Sequence, residues 1–237
     1  MRGVFVTATD TGVGKTVLAA AICTVLRARG VRVAAYKPVV TGMAEPRDAA
    51  AGRTGSGVPP DHVLLAECTG QRPEQVTPRT FDPAVSPHLA AAGAPLDPAA
   101  LEAAARAAAP VAGVLIVEGV GGLLVPLDDR GYDVRALARA LGLPVVIAAR
   151  PGLGTINHAL LTVEAARSAG LDVRGVVLTP WPARPSAMEH SNAATIASLG
   201  DVTVSRLPRA AALTPAALAA AGAELPLGSW IGEARPI

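Results

Sequence analysis

An α/β domain, with a mostly parallel sheet and helices on both faces, is what this sequence predicts, and three observations carry the reading. The first is Val4 to Thr24, VFVTATDTGVGKTVLAAAICT, where a β-branched run, a loop of small and polar residues and an apolar stretch of helical spacing follow one another. The second is Val114-Leu115-Ile116-Val117, a continuous apolar run of the kind needed by a strand covered on both faces. The third is the regular alternation of helix-like and strand-like segments from Asp133 onward. At 237 residues, 51% apolar and 17% charged, the chain holds enough apolar material for one large core, and residues 1–237 are expected to form a single domain.

Within the first stretch, Gly14-Lys15-Thr16 opens the helix. A nucleotide's phosphates need converging backbone N–H groups, a cation, and a hydroxyl for the magnesium ion, and these residues supply all three. The match to G-x-x-x-x-G-K-T is incomplete, because Thr9 stands at the first glycine position. A strand before and a helix after favour the phosphate reading over an ordinary helix start with a solvated lysine, so the expected class is a single-domain P-loop NTPase fold. The helix should run from Lys15 to Arg29 and stop at a left-handed Gly30.

Strand 2, Val31 to Tyr36, ends at Lys37-Pro38, on the edge where parallel sheets hold their ligands. Of the 21 basic residues only Lys15 and Lys37 are lysines. A chain that uses arginine for its other cations keeps a compact ammonium at these two places, which makes Lys37 a candidate for the same phosphate; the plainer reading is a strand-end lysine in solvent.

From Thr41 to Pro98 the periodicity fades and Gly, Pro and charged residues accumulate, as in ligand-side connections broken by short helices. Asp61-His62-Val63-Leu64-Leu65-Ala66 reads as one such helix. Asp61 is either its N-cap, which the local pattern favours, or a carboxylate aimed at a metal ion. Ser86-Pro87-His88 reads as a rigid turn, its histidine either a ligand or base or an ordinary hydrogen-bonded side chain. Asp97-Pro98 caps and opens an Ala-rich helix reaching about Ala109.

The buried run after it ends in Glu118, and Glu118-Gly119-Val120-Gly121-Gly122 sets a carboxylate at the strand's carboxyl end with glycines behind it for close approach of a ligand. Such an acid is the usual second half of a phosphate-loop site, holding magnesium directly or through water, and that reading is preferred to a pairing with arginine. Helices are expected from Asp133, Thr155, Ser186 and Thr214, and strands over Val145 to Ala148, Val173 to Leu178 and Val202 to Leu207. Gly152-Leu153-Gly154-Thr155-Ile156-Asn157-His158 starts a helix whose free N–H groups suit an anion such as a carboxylate, although Asn157 and His158 equally suit helix-start packing. Val17 stands where a G-x-G-x-x-G fingerprint needs its last glycine, which disfavours a dinucleotide fold. No nucleophile elbow and no metal-spaced Cys/His cluster occurs.

The balance of charge excludes other classes. A net charge of +2 scattered along the chain, with aromatics at 3%, lacks the basic run and interleaved rings of a nucleic-acid binder. Uncharged stretches are interrupted by Pro or Gly, and no apolar signal stretch precedes Val4, so no membrane segment is expected and the cytoplasm is. Cys23 and Cys68, isolated from each other in sequence, read as core packing in a reducing compartment.

Taken together, these residues resemble the dethiobiotin synthetase family, ATP-dependent carboxylases of biotin synthesis. The family's loop is G-T-D-T-x-V-G-K-T, and Ala8-Thr9-Asp10-Thr11-Gly12-Val13-Gly14-Lys15-Thr16 departs from it at Ala8. The likeness continues through Lys37-Pro38-Val39 with Thr41-Gly42, Ser86-Pro87-His88, Val117 to Gly122 before Val125-Pro126-Leu127, and Leu153 to Ala159, so it spans most of the chain. It implies nucleotide contacts from Gly12, Val13, Gly14, Lys15, Thr16 and Val17, and from Gly119, Val120 and Gly121. It also implies a magnesium ion on Thr16, Asp61 and Glu118, with Lys15 holding the ATP phosphates and Lys37 the carbamate and the transferring phosphoryl group. Asp61 is placed by the local likeness of Pro60-Asp61-His62-Val63-Leu64 to the family's metal-binding helix. Thr11 and Thr41 would lie beside the diamine, and Gly154 and Asn157 of a second subunit would bind its carboxylate tail, since family members are homodimers with sites at the interface. The implied reaction is ring closure of 7,8-diaminononanoate with CO2 through a carbamate and a carbamic-phosphoric mixed anhydride.

One departure bears on the nucleotide. Where the family commonly has an Asn to read adenine, this chain has Thr179-Pro180-Trp181-Pro182, and a hydroxyl does not offer the paired donor and acceptor of an amide. Base contacts are then expected from backbone around Thr179 and Pro180 and from Pro208-Arg209-Ala210, with other nucleoside triphosphates accepted beside ATP. Two rival readings share the scaffold. A cobyrinate amidase-like ligase carries a further glutaminase domain, for which the chain is expected to have no room. A partitioning or septum-site switch ATPase has a signature lysine where this chain has Asp10, and its membrane-binding forms end in a basic amphipathic helix that Ala223 to Ile237 does not resemble.

Overall fold

Strand β1 (Arg2–Ala8) sits near the middle of the sheet, and its residues from Gly3 onward are buried on both faces. The computed structural model describes residues 1–44 and 58–233. β1 is flanked by β3 (Val114–Glu118) and β4 (Val145–Ala149); β2 (Val33–Tyr36) lies outside β3, and β5 (Val173–Trp181) and β6 (Val204–Pro208) lie outside β4. These six strands pair in parallel in the order β2-β3-β1-β4-β5-β6. A short β7 (Gly232–Glu233), absent from the expectation, pairs antiparallel with the start of β1.

Alternation along each strand divides the core in two. Val4 and Val6 join Ile116, Val146 and Val177 on one face, under α1 (Lys15–Ala28), α2 (Asp61–Thr69), α9 (Pro215–Ala221) and α10 (Leu227–Trp230). Phe5 joins Tyr36, Leu115, Val117, Ile147 and Leu178 on the other, with α5 (Pro98–Ala108), α6 (Val134–Leu141), α7 (Thr155–Ser168) and α8 (Ala187–Gly200). Short helices α3 (Pro73–Val76) and α4 (Pro87–Ala90) lie in the connection after β2. Cys23 and Cys68 are both free and buried, as expected of core residues.

Strand boundaries differ from the sequence expectation for a common reason. Gly30 turns left-handed at φ 76°, and Val31 N–H donates to Leu26 O at 3.1 Å, so Val31 is spent on closing α1 and the strand begins at Val33. Asp201 at φ 41° and Val202 N–H to Ala197 O at 3.3 Å close α8 in the same way, which moves the expected start at Val202 to Val204. β5 runs past Leu178 because Trp181 pairs with Pro208, through a cis Thr179–Pro180 peptide. Asp97 and Asp133 cap their helices through Ala99 N–H and Ala136 N–H. The turn expected at Ser86-Pro87-His88 is the start of α4, with Ser86 Oγ and His88 Nδ1 3.0 Å apart. Part of the expected Thr41 to Pro98 connection lies outside the described residues.

Candidate active site

The phosphate loop joins β1 to α1. Gly12 (φ 72°) and Gly14 (φ 93°) take the left-handed backbone that side chains resist, and Gly14 is the N-cap of α1 with no side-chain cap. The first-turn N–H groups therefore have no side-chain acceptor from their own cap, and the helix's positive end faces the loop. Ala8 explains its departure from the family pattern. It is the last, fully buried residue of β1 and is not among the non-glycine residues of positive φ, so no glycine is required there.

Sheet register brings the charged groups together. Tyr36 pairs with Val117, so Lys37 and Glu118 leave neighbouring strands side by side, and Val6 pairs with Glu118 on the other side. Lys37 N–H is anchored on Val76 O at 2.8 Å. Its Nζ lies 2.6 Å from Glu118 Oε1 and 2.8 Å from Asp61 Oδ2. Thr16 Oγ1 donates to the same Glu118 oxygen at 2.8 Å. Glu118 is fully buried, and its Oε2 has no hydrogen-bond partner.

Asp61 departs from the cap that its local pattern favoured. Pro60 is the N-cap of α2, while Asp61 is the first helical residue and turns its carboxylate to Lys37. Burial disfavours the Lys37 ammonium, but the charges of Asp61 and Glu118 and their hydrogen bonds outweigh it and hold the ammonium above the ordinary lysine range. Burial likewise opposes the Asp61 carboxylate, and Lys37 overcomes it, holding the carboxyl below its usual range. Lys15 moves the other way. It is buried, beside the like charge of Lys37, and makes no ion pair among the described residues, so desolvation lowers it below an ordinary lysine.

Among the described residues no cluster of three or more His, Cys, Asp or Glu side chains forms a metal centre. The donors here are two carboxylates and a hydroxyl, hard oxygens of the kind magnesium prefers, and the unpaired Glu118 Oε2 is a donor still to be satisfied. The set fits a magnesium ion.

Of the glycines after β3, Gly119 has a different reason from the expected one. A Cβ at Gly119 would stand 2.8 Å from Val134 Cγ1 and 3.2 Å from Phe5 Cε1, so core packing, not ligand approach, excludes a side chain there. Gly121 (φ 59°) and Gly122 adjoin the phosphate loop: a Cβ at Gly121 would stand 2.8 Å from Val125 Cγ2 and 3.4 Å from Thr11 Oγ1, and one at Gly122 3.5 Å from Thr9 O. Val120 is half-buried between them. On the loop's other side, a Cβ at Gly14 would meet Thr179 Cγ2 at 3.1 Å and Oγ1 at 3.2 Å, so the buried Thr179 side chain packs under Gly14. Pro180, Pro208 and Arg209 are exposed at that edge, and Ala210 packs on the cluster that contains Val13 and touches Val17.

Thr41 follows Val40, which bridges to Thr80, and is half-buried. Gly154 (φ 88°) is the N-cap of α7, without a side-chain cap, and Gly154 and Asn157 are exposed. Sequence reasoning missed two residues that hold this loop. Buried Asn192 of α8 donates its amide to Pro151 O at 2.9 Å and Gly152 O at 3.2 Å, and Arg150 bridges to Asp10 of the phosphate loop at 2.9 Å. Neither has a local signal, because each partner is remote in sequence.

Comparison with known proteins identifies the family. A family profile described as an AAA domain matches residues 2–217. The ATP-dependent dethiobiotin synthetase BioD of Pseudomonas paraeruginosa (strain PA7) is 41% identical over 232 residues, covering 96% of this chain and 99% of the relative. That of Anaeromyxobacter dehalogenans (strain 2CP-C) is 43% identical over 204 residues, covering 84% and 86%. A ParA family ATPase from Chlorobium tepidum superposes with a TM-score of 0.52 at 13% identity, over 94% of this chain and 99% of its own, a likeness of fold alone. The chain therefore belongs to the ATP-dependent dethiobiotin synthetase family and is an ATP-dependent ligase.

Proposed function

We propose that the chain forms dethiobiotin by carboxylating 7,8-diaminononanoate with CO2 and closing the ring at the expense of ATP. The observation that carries the reading is the Lys37 ammonium lodged between Asp61 and Glu118, with Thr16 of the phosphate loop on the same Glu118 oxygen. One substrate amine takes up CO2 as a carbamate. A carbamate oxygen attacks the γ-phosphorus, the bond to the bridging oxygen breaks and the nucleoside diphosphate leaves. The second amine then attacks the carbonyl carbon of the mixed anhydride and expels phosphate.

This chemistry demands alignment and charge stabilisation more than covalent help from the protein. Lys15 and Lys37 offer two compact positive charges around the transferring group, in a buried setting that strengthens each. Thr16, Asp61 and Glu118 would hold magnesium, which when bound neutralises phosphate oxygens. Thr11 and Thr41 flank the diamine. Gly154, Asn157 and the uncapped start of α7 receive its carboxylate tail from the second subunit of a homodimer, and exposed Leu153 and Leu161 beside them support such a contact. The free cysteines suit a cytoplasmic setting, and no described helix is long and apolar enough to cross a membrane. Because the Thr179 hydroxyl packs under Gly14, base contacts fall to backbone around Thr179 and Pro180 and to Pro208, Arg209 and Ala210, which supports use of nucleotides beside ATP.

Purified protein incubated with the diamine, bicarbonate, magnesium and ATP should release phosphate only when the diamine is present. Release that ignores the diamine would sink the reading. Repeating the assay with CTP and GTP tests the base: turnover with ATP alone refutes the relaxed choice.

A further inference from the structure

We infer that Lys37 is the resident cation of the metal pocket, and that a divalent ion enters it only by exchange with the lysine ammonium. The inference rests on the proposed assignment of Thr16, Asp61 and Glu118 as magnesium ligands. All three converge on one place: Lys37 Nζ lies 2.8 Å from Asp61 Oδ2 and 2.6 Å from Glu118 Oε1, and Thr16 Oγ1 donates to that Glu118 oxygen at 2.8 Å. The carboxylates come from elements far apart in sequence, α2 and the end of β3, and the ammonium is what holds their charges together. The ammonium holds Glu118 Oε1 and Asp61 Oδ2 and leaves only Glu118 Oε2 unpartnered; a magnesium ion, with oxygen ligands at about 2.0–2.1 Å and little tolerance for distortion, can take both carboxylates and Thr16 together only once the nitrogen has left their midst.

The lysine is built to leave. Its backbone is tied to Val76 O at 2.8 Å at the end of β2, so exchange needs only rotation of the four-carbon stem, with the strand unmoved. The neighbouring cation on the phosphate-loop side is Lys15, which has no ion pair among the described residues. The charge of Lys37 already bears unfavourably on Lys15, and the two repel until an anion joins them, so the displaced Lys37 is best stabilised when nucleotide phosphate arrives with the metal. Nucleotide alone meets a lysine still engaged by two carboxylates; metal with nucleotide releases it toward the transferring group. The pocket thus makes Lys37 available in step with the metal, and while it is paired the same lysine neutralises carboxylates that would otherwise repel.

Manganese, read by electron paramagnetic resonance without nucleotide, measures the exchange. Lys37→Met removes the resident cation and should bind Mn2+ at least about tenfold more tightly than the wild type, whereas Lys37→Arg keeps the charge and should bind as weakly as the wild type. Equal affinity in wild type and Lys37→Met overturns the exchange while leaving the metal assignment standing. Failure of folded Lys37→Met to take up any Mn2+ overturns both. A second measurement needs no variant fold: with only two lysines, Cε-labelled wild-type protein gives two lysine signals by NMR. Magnesium with a non-hydrolysable ATP analogue should shift the Lys37 signal, and the analogue in EDTA should leave it near its apo position. An equal shift in EDTA overturns the exchange.

Discussion

Lys37 and Gly119 separate chemistry from packing at the scale of single residues. Arginine at position 37 keeps a positive charge, but its planar fork spreads that charge over three nitrogens and is stiffer at its end than a point ammonium. Lys37→Arg should therefore fold, with a melting temperature within a few degrees of the wild type, yet lose turnover by about 10²-fold or more, as a misplaced charge-stabilising group does. Wild-type turnover in the folded variant would remove Lys37 from the mechanism. Gly119 sits next to Glu118, the proposed magnesium ligand, but answers to the core. Gly119→Ala drives a methyl to 2.8 Å from Val134 Cγ1, which should cost about 1–3 kcal/mol of stability by urea unfolding through overpacking. Once folded, the variant's KM for nucleotide should stay near that of the wild type; a large rise there would restore a ligand-side role for Gly119.

At the scale of elements, the connection from β4 to α7 is the part of the site held together by distant partners. Asn192, 6% exposed on α8, supplies one amide to two successive carbonyls of the loop that carries Gly154. Asn192→Ala leaves those carbonyls without that donor and should destabilise the fold by about 1–3 kcal/mol. It should also raise KM for the diamine more than it lowers kcat, because the loosened loop carries the proposed carboxylate contacts while Lys15 and Lys37 stay in place. A loss of stability with both kinetic constants unchanged would leave Asn192 a structural residue only. What was legible in the sequence follows the same divide between local and remote. The phosphate loop could be read because strand, glycines, lysine and helix are contiguous, and Lys37 and Glu118 because each ends a strand whose neighbours fix its edge of the sheet. For Asp61 the sequence left a cap and a metal-directed carboxylate both open and favoured the cap, since an acid at a helix start usually caps it; here Pro60 takes the cap and the carboxylate turns to Lys37. Strand starts after α1 and α8 were misjudged because Val31 and Val202 have strand-like side chains but spend their N–H groups on helix exits. Short β7 has too few residues to carry a period at all.

For the whole molecule, one face of the sheet is closed by α1, α2, α9 and α10 and the other by α5 to α8, so the open carboxyl edge remains for ligands. On that edge the phosphate loop, Lys37 and Glu118 lie toward β1 to β3, whereas Gly154 and Asn157 follow β4 and are exposed. A substrate with two amines at one end and a carboxylate at the other suits that separation if the carboxylate contacts come from a second copy, as proposed. This makes the assembly testable by mixing. Lys37→Arg damages the phosphoryl end of a site, and Asn157→Asp sets a negative charge against the substrate's carboxylate, so each homodimer should turn over poorly at limiting diamine. In a mixed dimer one composite site takes both damaged parts and the other takes neither. With equal amounts and free exchange of subunits, half the dimers are mixed and each carries one intact site, so activity should recover to about a quarter of the wild-type level. If both groups served the same subunit's site, every site would carry one defect or the other, and mixing would give only the mean of the two parent activities.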